Sequence, residues 1–167
     1  MDLTRAARDP WVWGQLILLV FVGIGAPLIA RINLGPLDPI LGQADPWPIR
    51  QAGWLLLATG VAGMAWGVGS LGKNLTPGVE PLASGEFVTT GAYARVRHPI
   101  YSGLIAASAG YAWLCSNWRL GLLVGAGAGL YFGAKASAEE QRLLKRFKEY
   151  EAYRKQVPKL VPWGRPG

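Results

Sequence analysis

The chain has 167 residues, of which 51% are hydrophobic and only 16% are charged, and its net charge is +7. An average soluble domain has roughly 25% charged residues, so this composition excludes a disordered chain and indicates an integral membrane protein. The single cysteine, Cys115, excludes a disulfide scaffold.

The first apolar stretch covers residues 11–30 and contains no charged side chain. A helix of about 20 residues is long enough to cross roughly 30 Å of hydrocarbon. Asp2 and Asp9 precede the stretch, and no clean cleavage site follows it. The sequence therefore predicts a transmembrane helix here rather than a signal peptide.

Three further apolar stretches follow, over residues 51–71, 100–115 and 118–134. Only Ser116 and Asn117 separate the last two, which predicts a tight helical hairpin. The expected fold is an all-α integral membrane protein with a single membrane domain over residues 1–167. Its core would be a bundle of four transmembrane helices, with five as the alternative count, followed by a C-terminal amphipathic helix.

Small residues are concentrated inside these stretches, where they allow close approach of helix backbones in lipid. They include Gly63 and Gly67 on the second stretch, Gly103 and Gly110 on the third, and Gly121, Gly125, Gly129 and Gly133 on the fourth. The same Gly-rich helices would also suit a homodimer, and the sequence leaves both interpretations open.

The basic residues are distributed unevenly along the chain, and their positions predict orientation. Four spans would place 14 of the 17 Lys and Arg residues on one side of the membrane and three on the other. By the positive-inside rule, both termini are cytoplasmic. Nine of these residues lie from Lys135 to Arg165, which fits anionic lipid headgroups better than nucleic acid.

One polar cluster precedes the third stretch and contains the only histidine, His98. Pro99 can occupy the first turn of the following helix, because its missing N–H costs nothing there. Arg97 and His98 would then lie at the cytoplasmic mouth, with Tyr101 about one turn inside. A lone histidine is often structural, but its position at a helix entrance also suits a functional group.

The second polar cluster follows the fourth stretch and contains Lys135, Glu139 and Glu140. Ser137 and Glu140 match a capping box, which is the alternative to a functional site. The predicted hairpin would return this cluster to the side where His98 lies. We expect no metal site in either cluster.

Residues 137–157 are predicted to form an amphipathic helix, which would be either a surface anchor or a lid over the site. Its apolar face would contain Leu143, Leu144, Phe147, Tyr150, Tyr153 and Val157.

The motifs of these segments resemble those of the isoprenylcysteine carboxyl methyltransferase family, which is related to the phospholipid N-methyltransferases. The matching elements are Gly91-x-Tyr93, Arg97-His98-Pro99-x-Tyr101-x-Gly103, Glu139-Glu140-x-x-Leu143, Phe147-x-x-Tyr150-x-x-Tyr153, and Val157-Pro158 with Pro162. The resemblance covers about half of the chain, from Leu82 to Trp163.

The resemblance implies an S-adenosylmethionine-dependent methyltransferase that acts on a lipophilic acceptor at the membrane. A phospholipid amine, a small thiol or a non-catalytic membrane scaffold are the alternatives. The cofactor-binding residues that it implies, together with those suggested by their chemistry, are Gly85, Glu86, Phe87, Val88, Tyr93, Arg97, His98, Pro99, Ile100, Tyr101, Glu139 and Glu140. Lys135, where the family has an arginine, is the implied substrate-binding residue, and His98 is the one candidate catalytic base for an amine or phenol acceptor.

Overall fold

The computed structural model describes residues 9–32, 34–42, 44–75 and 86–164. Within these ranges the chain is helical and contains no strand, which confirms the all-α prediction for that part of the molecule. The helices are α1 (Pro10–Ile29, with a π turn at Phe21–Gly25), α2 (Trp47–Leu71), α3 (Pro99–Cys115), α4 (Trp118–Arg146) and the short α5 (Tyr150–Arg154). Single turns of 3₁₀ helix occur at Gly35–Leu37, Gly72–Asn74 and Gly91–Ala94, and a single π turn occurs at Asp38–Gly42.

Two helices in the described ranges are long and apolar enough to cross a membrane, namely Pro10–Ile29 and Trp47–Asn74. Large apolar side chains on both are exposed, including Ile17 at 68% and Leu55 at 67%. This exposure is expected of helices whose surroundings are lipid rather than water. Helix α3 has only 17 residues, so the count of four spans stays a prediction.

The chain forms two compact units, and helices α2, α3 and α4 each contribute to both. The first unit contains residues 1–14, 63–102 and 131–167. The second contains residues 15–62 and 103–130. All predicted site residues belong to the first unit, and Gly85 among them lies outside the described residues.

In the second unit, α2 and α3 approach each other through glycine. A Cβ at Gly60 would lie 2.4 Å from the Ala107 backbone nitrogen, and one at Gly110 would lie 2.5 Å from the Leu57 nitrogen. The apolar core of this unit consists of Val22, Ala26, Ala112, Leu120 and Val124. Backbones at this distance leave no room for a side chain, so glycine is required at both positions.

The predicted hairpin turn is present in the second unit, because α3 ends at Cys115 and α4 begins at Trp118. Asn117 caps α4, since its Oδ1 accepts from the backbone nitrogens of Arg119 at 3.0 Å and Leu120 at 3.2 Å. Its side-chain amide donates to the Ile40 carbonyl at 2.9 Å. The amide thus starts the helix and also holds the preceding loop.

The predicted close-packing role of the glycines is fulfilled at only some positions. A Cβ at Gly67 would meet Ile100, and one at Gly121 would meet Trp113, each within 3 Å. A Cβ at Gly63, Gly129 or Gly133 would meet no described atom within 4 Å beyond its own helix. Packing within the chain therefore accounts for part of the glycine pattern, and the homodimer stays a prediction.

In the first unit, the amphipathic helix expected over residues 137–157 does not form as a separate element. Helix α4 continues through Ser137 to Arg146, and α5 begins at Tyr150. Ser137 is not a cap, because its hydroxyl donates to the Gly133 carbonyl one turn earlier, at 3.0 Å. The residues from 136 to 144 contain neither Gly nor Pro, so strong helix formers carry α4 onwards.

Candidate functional site

The loop before α3 is held against the end of α2 within the first unit. Gly91 has a φ of +63°, and a Cβ at this position would lie 2.5 Å from the Ser70 hydroxyl. The same hydroxyl accepts from the Ala92 nitrogen at 3.1 Å. Glycine is required here both by the left-handed conformation and by the close approach. The turn at Gly91–Ala94 then leads to Pro99, the first residue of α3, as predicted.

Two acidic residues of α4 meet the start of α3, and we call this group the polar cluster: Arg97, His98, Tyr101, Glu139 and Glu140. Glu140 Oε1 accepts from Arg97 Nε at 2.9 Å and lies 3.1 Å from His98 Nε2. Glu139 Oε2 accepts from the Tyr101 hydroxyl at 2.9 Å and lies 3.6 Å from His98 Nδ1. The predicted convergence of the two distant polar segments is therefore present.

The imidazole of His98 lies between the two carboxylates and is 5% exposed. It stacks on the Tyr101 ring, with the centroids 5.4 Å apart and the planes 2° apart. A carboxylate can only accept, so Nε2 carries a hydrogen when it bonds to Glu140. Both ring nitrogens of His98 thus face carboxylate oxygens, Nε2 at 3.1 Å and Nδ1 at 3.6 Å.

Glu140 is held as an anion by its neighbours. Burial alone would raise the pKa of this carboxyl, but the His98 hydrogen bond and the charges of His98, Arg97 and Lys159 outweigh burial. The net result is a pKa below the ordinary value. The Glu140 carboxylate is thus a charged partner of Arg97 and His98.

Lys135 lies one turn before Glu139 on α4, and the residue is fully buried. Its ammonium lies 5.3 Å from the centroid of the Tyr101 ring, in a cation–π arrangement. Burial lowers the pKa of Lys135, while the negative charges of Glu139 and Asp9 oppose that change. The ammonium of Lys135 thus lies beside Tyr101 of the polar cluster.

A pocket that is partly open to solvent lies in the same unit. We call it the aromatic pocket. Five of the predicted cofactor residues line it, namely Glu86, Phe87, Val88, Tyr93 and Arg97. The other described cofactor predictions, including His98, Pro99, Ile100, Tyr101, Glu139 and Glu140, are not among its lining residues.

Residues that the sequence interpretation did not assign to a ligand complete this pocket, and they are Leu71, Asn74, Leu143, Phe147, Tyr150 and Tyr153. The aromatic members belong to the Phe147-x-x-Tyr150-x-x-Tyr153 motif, whose spacing predicts the apolar face of an amphipathic helix. Their repeated spacing three residues apart, in order after the Glu pair, was the signal available in the sequence.

Four aromatic residues that line the pocket pack together, and we call them the aromatic wall: Phe87, Phe147, Tyr150 and Tyr153. Phe87 contacts the other three. Its ring centroid lies 5.4 Å from that of Phe147, 5.6 Å from Tyr150 and 5.3 Å from Tyr153. Burial is the main cause that raises the pKa of Tyr93, Tyr150 and Tyr153 above the ordinary tyrosine value. These phenols therefore remain neutral and can donate hydrogen bonds at physiological pH.

Tyr150 offers an unused polar group at the pocket. The residue is 1% exposed, and its hydroxyl has no hydrogen-bond partner among the described residues. A buried hydroxyl without a partner is costly. A polar group of a bound ligand would satisfy it.

Arg97 has a different environment from the one expected of a ligand-binding arginine. Its side chain is 4% exposed, and besides Glu140 it donates through Nη1 to the carbonyls of Arg154 at 2.5 Å and Val157 at 2.8 Å. Much of its hydrogen-bonding capacity is thus used inside the protein, although the residue also borders the aromatic pocket.

Comparisons with known proteins agree with the motifs of this site. Residues 54–145 match the model of the isoprenylcysteine carboxyl methyltransferase family. A relative named protein-S-isoprenylcysteine O-methyltransferase, from Schizosaccharomyces pombe, is 38% identical over 76 residues, which are 45% of this chain and 32% of the relative. The chain thus matches about a third of that relative's length. Since the family match covers more than half of the chain, including both segments of the polar cluster, the protein belongs to the isoprenylcysteine carboxyl methyltransferase family.

Proposed function

We propose that this protein is a membrane-embedded methyltransferase that transfers a methyl group from S-adenosylmethionine to the carboxylate of an isoprenylcysteine. The observation that carries the proposal is the meeting of His98 with Glu139 and Glu140, beside a pocket lined by aromatic residues. Family membership supports this reaction over a phospholipid amine, a small thiol or a scaffold role.

The aromatic pocket suits the methyl donor, which supplies an electrophilic methyl group on a sulfonium. The faces of Phe87, Phe147 and Tyr153 are electron-rich surfaces for cationic and adenine groups. Tyr150 offers the unpartnered hydroxyl described above. Glu86 lines the pocket and is exposed, and Glu139, in the polar cluster, is 26% exposed; both carboxylates are acceptors for ammonium or ribose groups. The residues present therefore fit the donor.

Lys135 is the residue that we assign to the acceptor. Its buried ammonium, beside Tyr101 and Glu139, would attract a carboxylate and orient it. A lysine provides a point charge rather than the planar fork of an arginine, so it fixes the carboxylate less strictly. Placement of the two reactants then supplies much of the rate acceleration.

The proposed reaction requires no general base. A bond forms between the carboxylate oxygen and the methyl carbon, the bond from carbon to sulfur breaks, and no proton is released. We therefore assign His98 to positioning Glu139 and Glu140 rather than to proton transfer. Both nitrogens of its buried ring face carboxylate oxygens, which supports this assignment.

In the proposed arrangement, four transmembrane helices cross the bilayer and both termini are cytoplasmic. The soluble donor would enter from the cytoplasm and the lipophilic acceptor from the bilayer. The exposed apolar side chains of α1 and α2 support contact with lipid.

The test uses the purified protein in detergent with isotopically labelled S-adenosylmethionine. We expect saturable donor binding and label transfer to a farnesylated cysteine derivative with a free carboxylate. Its methyl ester and the unprenylated cysteine derivative are matched controls, and neither should be labelled. Transfer to a phospholipid amine or to a thiol would contradict the acceptor assignment, and absence of donor binding would contradict the enzyme assignment.

A further inference from the structure

Residues 153–160, which we call the C-terminal strap, are bound along their backbone to the start of α3. The Pro158 carbonyl accepts from the Arg97 nitrogen at 2.9 Å, and the Lys159 carbonyl accepts from the His98 nitrogen at 3.1 Å. The Leu160 carbonyl accepts from the Ser102 hydroxyl at 2.5 Å. The strap is therefore attached to the motif that contributes His98 to the polar cluster.

The side chain of Arg97 adds two further attachments. Its Nη1 donates to the carbonyls of Arg154, the last residue of α5, and Val157. Carbonyls at the end of a helix lack partners within the helix, and a cationic side chain is well suited to them. Because Nε of the same guanidinium donates to Glu140, one side chain connects the strap to α4.

The strap also carries part of the pocket wall. Tyr153, its first residue, packs edge-on against Phe87 and donates from its hydroxyl to the Tyr93 carbonyl at 2.6 Å. Lys159 attaches the other part of the strap to α4, through Nζ contacts with the Gly133 carbonyl at 3.1 Å and the Ser137 hydroxyl at 2.5 Å. Displacement of the strap would therefore move a wall of the aromatic pocket.

We propose that Arg97 is a positioning residue that holds the C-terminal strap, and with it the aromatic wall, against the polar cluster. In this role Arg97 does not bind the carboxylate of the donor. The inference rests on the proposed function in so far as the aromatic pocket holds the donor. The attachment itself is independent of that function and is tested separately.

The experiment compares Arg97→Gln and Arg97→Lys with Arg95→Gln, a matched control at an exposed arginine two residues earlier. Two ligands are titrated, S-adenosylhomocysteine, which has a carboxylate, and 5′-methylthioadenosine, which lacks it. Hydrogen exchange is measured at the amides of His98 and residues 153–157. Ser102→Ala, which removes the hydroxyl contacts to the Leu160 and His98 carbonyls, is the second variant in case Arg97→Gln does not fold.

We expect Arg97→Gln to raise the Kd of both ligands by a similar factor of about ten, because charge-assisted bonds hold the wall in place. Exchange should rise at the strap and His98 amides and stay unchanged in α1. Arg97→Lys should give a smaller rise in Kd, Ser102→Ala a small and equal rise for both ligands, and Arg95→Gln no change.

A loss of affinity confined to S-adenosylhomocysteine, with unchanged exchange in the strap, would overturn the proposal and make Arg97 a direct carboxylate ligand. If the wild-type protein binds neither ligand, the proposed function fails. The exchange data alone then decide whether Arg97 holds the strap, and unchanged exchange in Arg97→Gln and Ser102→Ala would refute it.

Discussion

Glu139 and Glu140 are adjacent in sequence, but their surroundings give them different tasks. Glu140 is 12% exposed at its side chain and bonds to Arg97 and His98. Glu139 is 26% exposed and bonds to the Tyr101 hydroxyl through one oxygen. At the residue scale, Glu139 is thus the more exposed of the two acids, and Glu140 has more partners within the protein.

Replacement of Glu139 by Gln tests this difference. The change keeps the size of the side chain and removes its charge, so we expect about tenfold weaker donor binding with an unchanged melting temperature. Glu149→Gln, at an exposed glutamate beyond α4, is the control and should bind as the wild type does. Isothermal titration with S-adenosylhomocysteine measures the effect, and equal affinities would contradict the assignment of Glu139.

Glu140 should make stability depend on pH on the acid side. Its pKa is lowered in the folded protein by His98, Arg97 and Lys159. This contribution is therefore complete above the ordinary value of 4.5 and is lost as pH falls through the lowered folded-state pKa. Glu140→Gln should remove this part of the acid dependence and be less stable at neutral pH. Thermal unfolding in detergent at several pH values measures it, and parallel curves for both proteins would refute the coupling.

Sequence reasoning located the polar cluster because its residues belong to two motifs that a hairpin brings together. It did not anticipate the environment of Arg97, because two of the partners are the carbonyls of Arg154 and Val157. Every residue has a backbone carbonyl, so the amino-acid sequence does not show which carbonyls accept from Arg97. The uniqueness of His98 is visible in the sequence, whereas its contacts with the two acidic side chains are seen only in the structure.

At the scale of helices, glycine matters where two backbones meet. Of the glycines on α2, Gly60 and Gly63 are one turn apart but have different neighbours. A Cβ at Gly60 would meet the backbone atoms of Ala107 and Gly103 within 3 Å, and one at Gly63 would meet no described atom within 4 Å beyond the helix itself. Backbone atoms cannot rotate away, so an added methyl group at position 60 would force the helices apart.

Gly60→Ala and Gly63→Ala form a matched pair that tests this packing. We expect Gly60→Ala to lower the free energy of unfolding by about 1–3 kcal/mol, the usual cost of overpacking. Gly63→Ala should be neutral or slightly stabilising, because alanine favours helix. Circular dichroism during heating in detergent measures both. An equal effect of the two substitutions would show that the close approach of α2 and α3 does not limit stability.

Hydropathy does not predict the residue at which α4 ends. The apolar run ends at Ala134, and the helix continues to Arg146. Hydropathy reports where lipid contact ends, whereas helix formation depends on propensity and capping, and the two need not stop at the same residue. Ser137 could be interpreted as a cap because its hydroxyl suits either an N-cap or a bond to the preceding turn.

At the scale of the whole molecule, the number of membrane spans decides on which side of the bilayer each segment lies. Two of the four predicted spans, α1 and α2, satisfy length and hydropathy, and α3 has 17 residues. If α3 and the first part of α4 also cross, their turn at Ser116 and Asn117 lies opposite the polar cluster. If they do not cross, the turn and the cluster lie on the same side.

Single cysteines labelled in membrane vesicles distinguish these arrangements. In a Cys115→Ala background, Trp163→Cys near the C-terminus and Arg119→Cys beside the turn are both at exposed positions. We expect Trp163→Cys to react with an impermeant maleimide only from the cytoplasmic side, and Arg119→Cys only from the opposite side, because 14 of 17 basic residues favour cytoplasmic termini. Labelling of both cysteines from one side would show that α3 and α4 do not cross the membrane, so that α1 and α2 would be the two spans among the described helices. The acceptor would then have to reach Lys135 from the membrane surface rather than from within the bilayer.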